Sequence, residues 1–448
     1  MLFPLTRRSS VRTEPVWTPV GGGPGAAAVL LVALLLGTGP AHAQIQPLPL
    51  PQADSSFGAA VALSGGDGAP GKDHAPERAL VGASGEDTCG ENSGAAYVFE
   101  KTGGTWERAA RLGPSDCEAG AFFGRSLALS GDRALVGASK KFFADERPNV
   151  AYLFERDPAT GAWNETARLT VDPERAEGTF AASVALDGRR ALVTARGALP
   201  PSSALASGSG ASSSSAARSR SSVGAAYVFE LGGRTGQWKR VARLRPRRPA
   251  SQRAFGGAGA LDGDYLAVTA SPYFSEGAGA VYLFERRRSG DAARWVQATR
   301  LEGFDGFSIP VALHGERLLV GASRAGDDRG GAAVLFERTA GGSWQRQARL
   351  RPRTPYRDGA FGTAVALGAE RALVTGYDEQ LGLDFNIDRV AYAFERQGRG
   401  SEARWTQQQI LDRGDVSFAS AIALHGRTAL VGHASERGSG AAYIIGLR

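Results

Sequence analysis

One pattern, opened each time by a phenylalanine, recurs seven times along the chain, at Phe57, Phe123, Phe180, Phe255, Phe307, Phe361 and Phe418. Each opening leads into an apolar triplet, a tight polar turn, a run such as Ala134-Leu135-Val136-Gly137-Ala138, a loop, and a segment such as Gly94-Ala95-Ala96-Tyr97-Val98-Phe99-Glu100. The openings are about 50–75 residues apart, with the variation in the loops. A unit this short cannot bury its apolar face alone, so neighbouring units must stack. The repeat therefore constrains the fold strongly, while nothing within it carries chemistry.

Each unit reads as four strands. The first is short, as in Val61-Ala62-Leu63, and ends in hairpin chemistry such as Ser130-Gly131-Asp132 or Asp262-Gly263-Asp264. The second, typified by residues 134–138, is almost wholly apolar and suits a strand buried on both faces. The third is the Gly-Ala-Ala-Tyr-Val-Phe-Glu segment, and a glycine-containing loop follows it. The fourth pairs a tryptophan with a leucine six residues on: Trp106 with Leu112, Trp163 with Leu169, Trp238 with Leu244, Trp295 with Leu301, Trp344 with Leu350 and Trp405 with Leu411. In a regular strand that interval puts both side chains on one face. Arginine precedes most of these leucines and so points to the other face, where the expected partner is the glutamate that ends the third strand.

Four-stranded antiparallel units repeated seven times predict an all-β, seven-bladed β-propeller. The seventh unit ends shortly after Ala441-Ala442-Tyr443-Ile444-Ile445 without a tryptophan strand, so the N-terminal strand is expected to complete the last blade. Aligning Leu50 with the recurring leucine puts Gln44 at the tryptophan position. Pro47, Pro49 and Pro51 alternate, as an outermost strand tolerates.

The order Phe-Gly, Val-Ala-Leu, Ala-Leu-Val-Gly-Ala, Gly-Ala-Ala-Tyr-Val-Phe resembles the FG-GAP repeat, known from the propeller of integrin alpha subunits and from exported bacterial proteins. Phe-Gly is intact at 57–58, 123–124, 255–256 and 361–362, and Ala or Ser replaces the glycine elsewhere. In integrin-type repeats a calcium loop of alternating aspartates precedes the Val-Gly-Ala strand. Here that place holds tight turns such as Gly131-Asp132 and Gly315-Glu316, so the resemblance does not extend to integrin-type calcium binding, and no cofactor is expected.

Ahead of the repeats, Arg7, Arg8 and Arg12 precede an apolar run from Ala26 to Leu36 and the triplet Ala41-His42-Ala43. This is the pattern of a secretory signal peptide over residues 1–43, leaving a mature propeller of residues 44–448. The apolar run is about half the length of a membrane-spanning helix, so the mature chain is expected to be secreted, extracellular or periplasmic, and monomeric. Removing the leader lowers the formal charge from +7 to about +5, without the basic, aromatic-interleaved face of a nucleic-acid binder. Cys89 and Cys117 are the only cysteines, lie on the same face of the expected ring, and in an exported chain read as a disulfide. The serine-, alanine- and glycine-rich segment 200–222 reads as a disordered loop inserted in the third repeat.

In such blades the loop between the second and third strands emerges on the same face as the link to the next blade. Acidic residues collect there: Glu86 and Asp87, Asp145 and Glu146, Asp327 and Asp328, Asp378 and Glu379, then Asp384 and Asp388. Basic stretches share that face at residues 245–248, including Arg247, and 351–353, including Arg353. His74, His314, His425 and His433 form no triad or zinc spacing. The reading is a binding or adhesion module that meets a protein or glycan partner through Asp87, Asp145, Asp327, Asp328, Asp378, Arg247 and Arg353. The alternatives are an extracellular carbohydrate-active enzyme using acidic loop residues, recognisable by an acid pair in one pocket, and a structural surface protein.

Overall fold

The computed structural model describes residues 45–49, 55–65, 77–139, 149–171, 179–197, 224–233, 235–247, 253–272, 278–289, 292–306, 308–378, 388–398, 403–413, 418–434 and 440–448. Twenty-eight strands form seven four-stranded antiparallel sheets, with no helix among the described residues. Blade 1 comprises Phe57–Ser64, Arg78–Ala83, Ala95–Thr102 and Thr105–Leu112, and the next five blades repeat that order. First strands pack against one another from blade to blade, including blade 1 on blade 7, so the ring closes with its first strands innermost. Phe307, Asp145, Glu146, Glu379, Asp384, His74 and the 200–222 segment lie outside the described residues.

The apolar core divides into seven clusters, one at each seam between adjacent blades. Second strands contribute to the seams on both sides. In blade 1, Ala79 and Val81 face blade 7 while Leu80 faces blade 2, and the whole strand is buried as its composition predicts. The opening phenylalanine anchors the six blades in which it is described. Phe57, Phe123, Phe255 and Phe361 are fully buried and meet the third strand's tyrosine and phenylalanine edge-on, with centroids 5.4–6.5 Å apart.

The glycine after it has a steric reason. Gly124 sits at φ +91°, and a Cβ there would lie 2.3 Å from the Ala95 carbonyl oxygen of the preceding blade. That oxygen belongs to the third strand, whose own leading Gly94 would place a Cβ 2.2 Å from Phe123 O. The two motif glycines thus let backbones of adjacent blades touch at the loop end of the seam.

The fourth strand departs from the sequence expectation. A β-bulge interrupts its pairing with the third strand in blades 1 to 6, between Val98 and Phe99 in blade 1 and at the equivalent place in the others. The extra residue reverses the alternation, so tryptophan and leucine fall on opposite faces rather than one. Trp106 packs into the seam with blade 7 and Leu112 into the seam with blade 2. The bulge also changes the ionic partners. Arg111 lies opposite Tyr97, not opposite Glu100. Glu100 instead pairs with Arg78 at the start of the second strand, at 2.7 Å, and with Arg156 of the next blade at 3.0 Å. The same bridge between blades recurs where Arg286 reaches Glu230, Arg338 reaches Glu285 and Arg396 reaches Glu337.

Closure occurs as expected, with a shift of register. Ile45–Pro47 pairs antiparallel with Ala441–Gly446, completing the sheet of Ala421–His425 and Thr428–His433. Leu48, not Leu50, fills the recurring leucine position: its N–H donates to Ala442 O at 2.8 Å and its side chain enters the seam between blades 7 and 1. The third strand fixes this register through its Ala442, the counterpart of the Ala96 that faces Leu112.

Candidate functional site

First strands run from the loop face toward the turn face. The loop face therefore carries the starts of first strands, the ends of second strands and the starts of third strands. In blade 1 the loop after the second strand is clamped. Cys89 and Cys117 form a disulfide with Cα atoms 5.9 Å apart, and Gly120, Phe122 and Phe123 donate their N–H groups to the carbonyls of Glu91, Asn92 and Ser93. Beneath it Glu86 is buried and accepts from Thr88 Oγ1 at 2.6 Å, Tyr97 OH at 2.5 Å and Arg111 Nε and Nη2 at 2.9 and 2.6 Å. Burial alone would raise its pKa, but these donors outweigh burial and hold the carboxyl below its usual range. Burial and the neighbouring carboxylate push Tyr97 up to about 12.

The other acids of this face have separate tasks. Asp378 is buried and accepts from Tyr392 OH at 3.0 Å. Asp116, in the link to blade 2, accepts from Tyr152 OH and Arg168. These three tyrosines hold the same place in the third strand, so a tyrosine–carboxylate bond under the loops is part of the scaffold in blades 1, 2 and 6. Asp87 caps its loop by accepting the Asn92 N–H at 2.7 Å, and Asp328 accepts the Gly330 N–H at 3.1 Å. Asp327, Arg247 and Arg353 are exposed, and the Arg247 and Arg353 backbones bind Gln297 and Gln407 of the next blades. The structure gives the predicted residues that it describes separate partners and does not gather them into one site.

It gathers a different set. A cleft of about 420 Å³ lies on the loop face where blades 5, 6 and 7 meet. Three arginines line it: Arg324 and Arg329 from the loop after Arg317–Ala322 of blade 5, and Arg389 from the start of Asp388–Gln397 of blade 6. Tyr377, at the end of Arg371–Asp378, forms another wall, and Ser308, Ser323, Thr363 and Ser420 contribute hydroxyls. Asp358 is the only carboxylate in the lining among the described residues. Arg389 Nη2 donates to Tyr377 OH at 2.7 Å, and the guanidinium carbon stands 5.2 Å from the Tyr377 ring centroid. Reading the sequence for acids passed over these arginines. The signal that finds them is departure from the repeat, since Arg389 stands where five other units have glycine.

A closed ring of seven four-stranded blades, six of them with a described and buried opening phenylalanine, defines a β-propeller. The FG-GAP repeat family matches residues 106–154, from the last strand of blade 1 through most of the third strand of blade 2, and the whole ring fits an FG-GAP propeller protein. Among solved structures, a prolyl endopeptidase is similar at 14% identity and a TM-score of 0.40 over 84% of this chain, which spans 44% of that enzyme's length. A Bacteroides uniformis protein provisionally named a 6-phosphogluconolactonase is similar at 12% identity and a TM-score of 0.48, over 80% of this chain and 89% of that one. Neither likeness bears on what this chain does. No curated protein matches it.

Proposed function

We propose that the protein is an exported binding module that recognises a protein or glycan partner through its loop face, with the cleft of blades 5–7 at the centre of contact. The observation that carries this reading is the contrast across one face. The buried or paired acids Glu86, Asp116 and Asp378 serve the scaffold, whereas the cleft presents cations and hydroxyls. Rigid blades holding variable loops suit recognition. A disulfide, and the lack of any helix among the described residues long and apolar enough to span a membrane, are compatible with export. Carbohydrate cleavage would call for two carboxylates facing one pocket, and among the described residues the cleft lining supplies Asp358 alone.

The test is retention of the purified protein on a glycan and extracellular-matrix panel, with and without calcium. Retention should be lost in the double variant Arg324→Ser, Arg329→Ser on the loop face and kept in His314→Ala on the turn face. No retention in either condition, or retention indifferent to the loop-face substitutions, overturns the proposal.

A further inference from the structure

Blade 6 breaks the repeat at two positions, and the two face each other. The third strand is led by glycine in five blades, at Gly94, Gly224, Gly279, Gly331 and Gly440, and by Arg389 in blade 6. The position after the Val-Gly-Ala or Val-Thr-Ala run is serine in four blades, at Ser84, Ser139, Ser271 and Ser323, and is Tyr377 in blade 6. Tyr377 and Arg389 are direct register partners. At the neighbouring seams the glycine leaves no space: a Cβ would lie 2.2 Å from Phe361 O at Gly331 and 1.9 Å from Phe57 O at Gly440. In blade 6 an arginine takes that place, and the cleft lies at the loop end of its seam with blade 7, between Arg389 and Ser420. Blade 2 also lacks the glycine, with Asn149 there.

At four other seams Arg156, Arg286, Arg338 and Arg396 bridge blades through glutamates, whereas the Arg329 and Arg389 side chains have no carboxylate partner among the described residues. Arg389 Nη2 is held by Tyr377 OH, and its Nη1 makes no hydrogen bond among the described residues. A planar fork of guanidinium donors matches a carboxylate best. Beside the three arginines, Tyr377, Ala360 and the one carboxylate Asp358, the described lining is serine and threonine. Thr363 Oγ1 makes one bond to Thr375 Oγ1, and Ser420 Oγ donates to Gly432 O and accepts from Ala434 N, which leaves lone pairs for a ligand. The volume falls within the roughly 300–1,000 Å³ of small-ligand clefts. Ala360 is the only aliphatic side chain in the lining among the described residues, and the Tyr377 ring supplies an aromatic face of the kind a sugar ring can lie against.

Resting on the proposal that the loop face binds, we infer that the cleft is a uronate subsite: it takes an acidic sugar whose carboxylate is held by Arg389 and Arg329 and whose hydroxyls meet the serine and threonine side chains. Calorimetric titration of the purified protein with tri-galacturonate, with maltotriose as the neutral counterpart and tri-glutamate as the acidic peptide, tests it. Tri-galacturonate should bind at least tenfold tighter than either of the others, and more weakly as salt rises. Arg389→Gln should weaken it at least tenfold, while Arg108→Gln, exposed on the fourth strand of blade 1 and outside the cleft, leaves it unchanged. Thermal melts establish that Arg389→Gln folds; should it not, Arg329→Gln in the exposed loop is expected to give the same loss. Equal binding of maltotriose, tighter binding of tri-glutamate, no binding of tri-galacturonate, or binding indifferent to both substitutions overturns the uronate assignment. If the panel still shows retention lost with the loop-face variant, the binding module stands and only its ligand class falls; if it shows none, both fall.

Discussion

Glu86 is acidic, lies in a loop of the binding face, and belongs to the scaffold; replacing it with alanine separates the two roles. The substitution removes the acceptor of Tyr97 OH, a buried donor, and of two nitrogens of Arg111, whose side chain is about one-third exposed. Orphaning a buried hydroxyl costs about 1–3 kcal/mol, and losing a charged hydrogen bond costs about 1.5–3 kcal/mol. Arg111 Nη2 keeps Thr88 Oγ1 at 2.7 Å and some water, which lowers the second figure. The expected loss is about 3–4 kcal/mol at pH 7. For a ring of about 400 residues, an unfolding entropy near 2.1 cal/mol/K per residue makes this a fall in Tm of about 4–5 °C. Because the folded carboxyl titrates below its unfolded value, its stabilisation is present above that value and is lost as pH falls through the folded pKa. The gap between wild type and Glu86→Ala therefore narrows below about pH 4. Urea unfolding followed by tryptophan fluorescence, to which Trp106 in the neighbouring seam contributes, measures both effects. Equal stability at pH 7, or a gap that stays constant between pH 3 and pH 6, would refute the assignment of Glu86 as a structural anion.

Three further outcomes follow from the same geometry. Replacing Cys89 and Cys117 together with serine should lower stability by up to about 3–4 kcal/mol, the entropy of a loop with sequence separation 28, and reductant should bring wild type to the variant's denaturation midpoint. Gly124→Ala meets Ala95 O at 2.3 Å with φ at +91°, so a loss of at least about 1–3 kcal/mol is expected by urea titration, and a neutral result would refute the steric reading of the repeat. Leu48→Ala empties the seam that closes the ring and should cost about 2–5 kcal/mol by the same measurement, with a broadened transition if closure makes the ring cooperative.

The architecture was legible because periodicity survives averaging: seven phenylalanines and six tryptophan strands set the blade count, strand order and closing strand before any contact is known. What failed did so through single residues. Alternation predicted one face for Trp106 and Leu112, and the bulge at Val98/Phe99, which no residue type marks, moved them to two seams and gave Glu100 to Arg78. Leu48 and Leu50 satisfy the leucine rule equally well on paper, since both are leucines two residues apart in a proline-alternating strand; the hydrogen bond from Leu48 N to Ala442 O decides between them. At the candidate site, acids drew attention because carboxylates carry much chemistry. A carboxylate under a loop can as easily be the acceptor of the tyrosine in its own blade, and Tyr97, Tyr152 and Tyr392 claim three of them.

In a repeat protein the common residues describe how units stack, so whatever is particular to the chain's task has to sit where a unit departs from the others. Most departures here are absorbed by loop length. Tyr377 and Arg389 are different in kind, because they replace small residues at a packed seam and do so as register partners. A lone arginine at the glycine position would meet the backbone of the next blade; paired with Tyr377 it has a hydrogen bond and a ring to lie over. Six other seams and the closing strand hold the ring, so one seam can open at its loop end without opening the propeller. The site is then placed by rigid strands rather than by mobile loops, with Arg389 fixed at the start of a third strand while Arg324 and Arg329 approach from the neighbouring blade. Such a cleft arises only when two positions on adjacent strands change together, which is why it escapes any reading of the repeat one unit at a time.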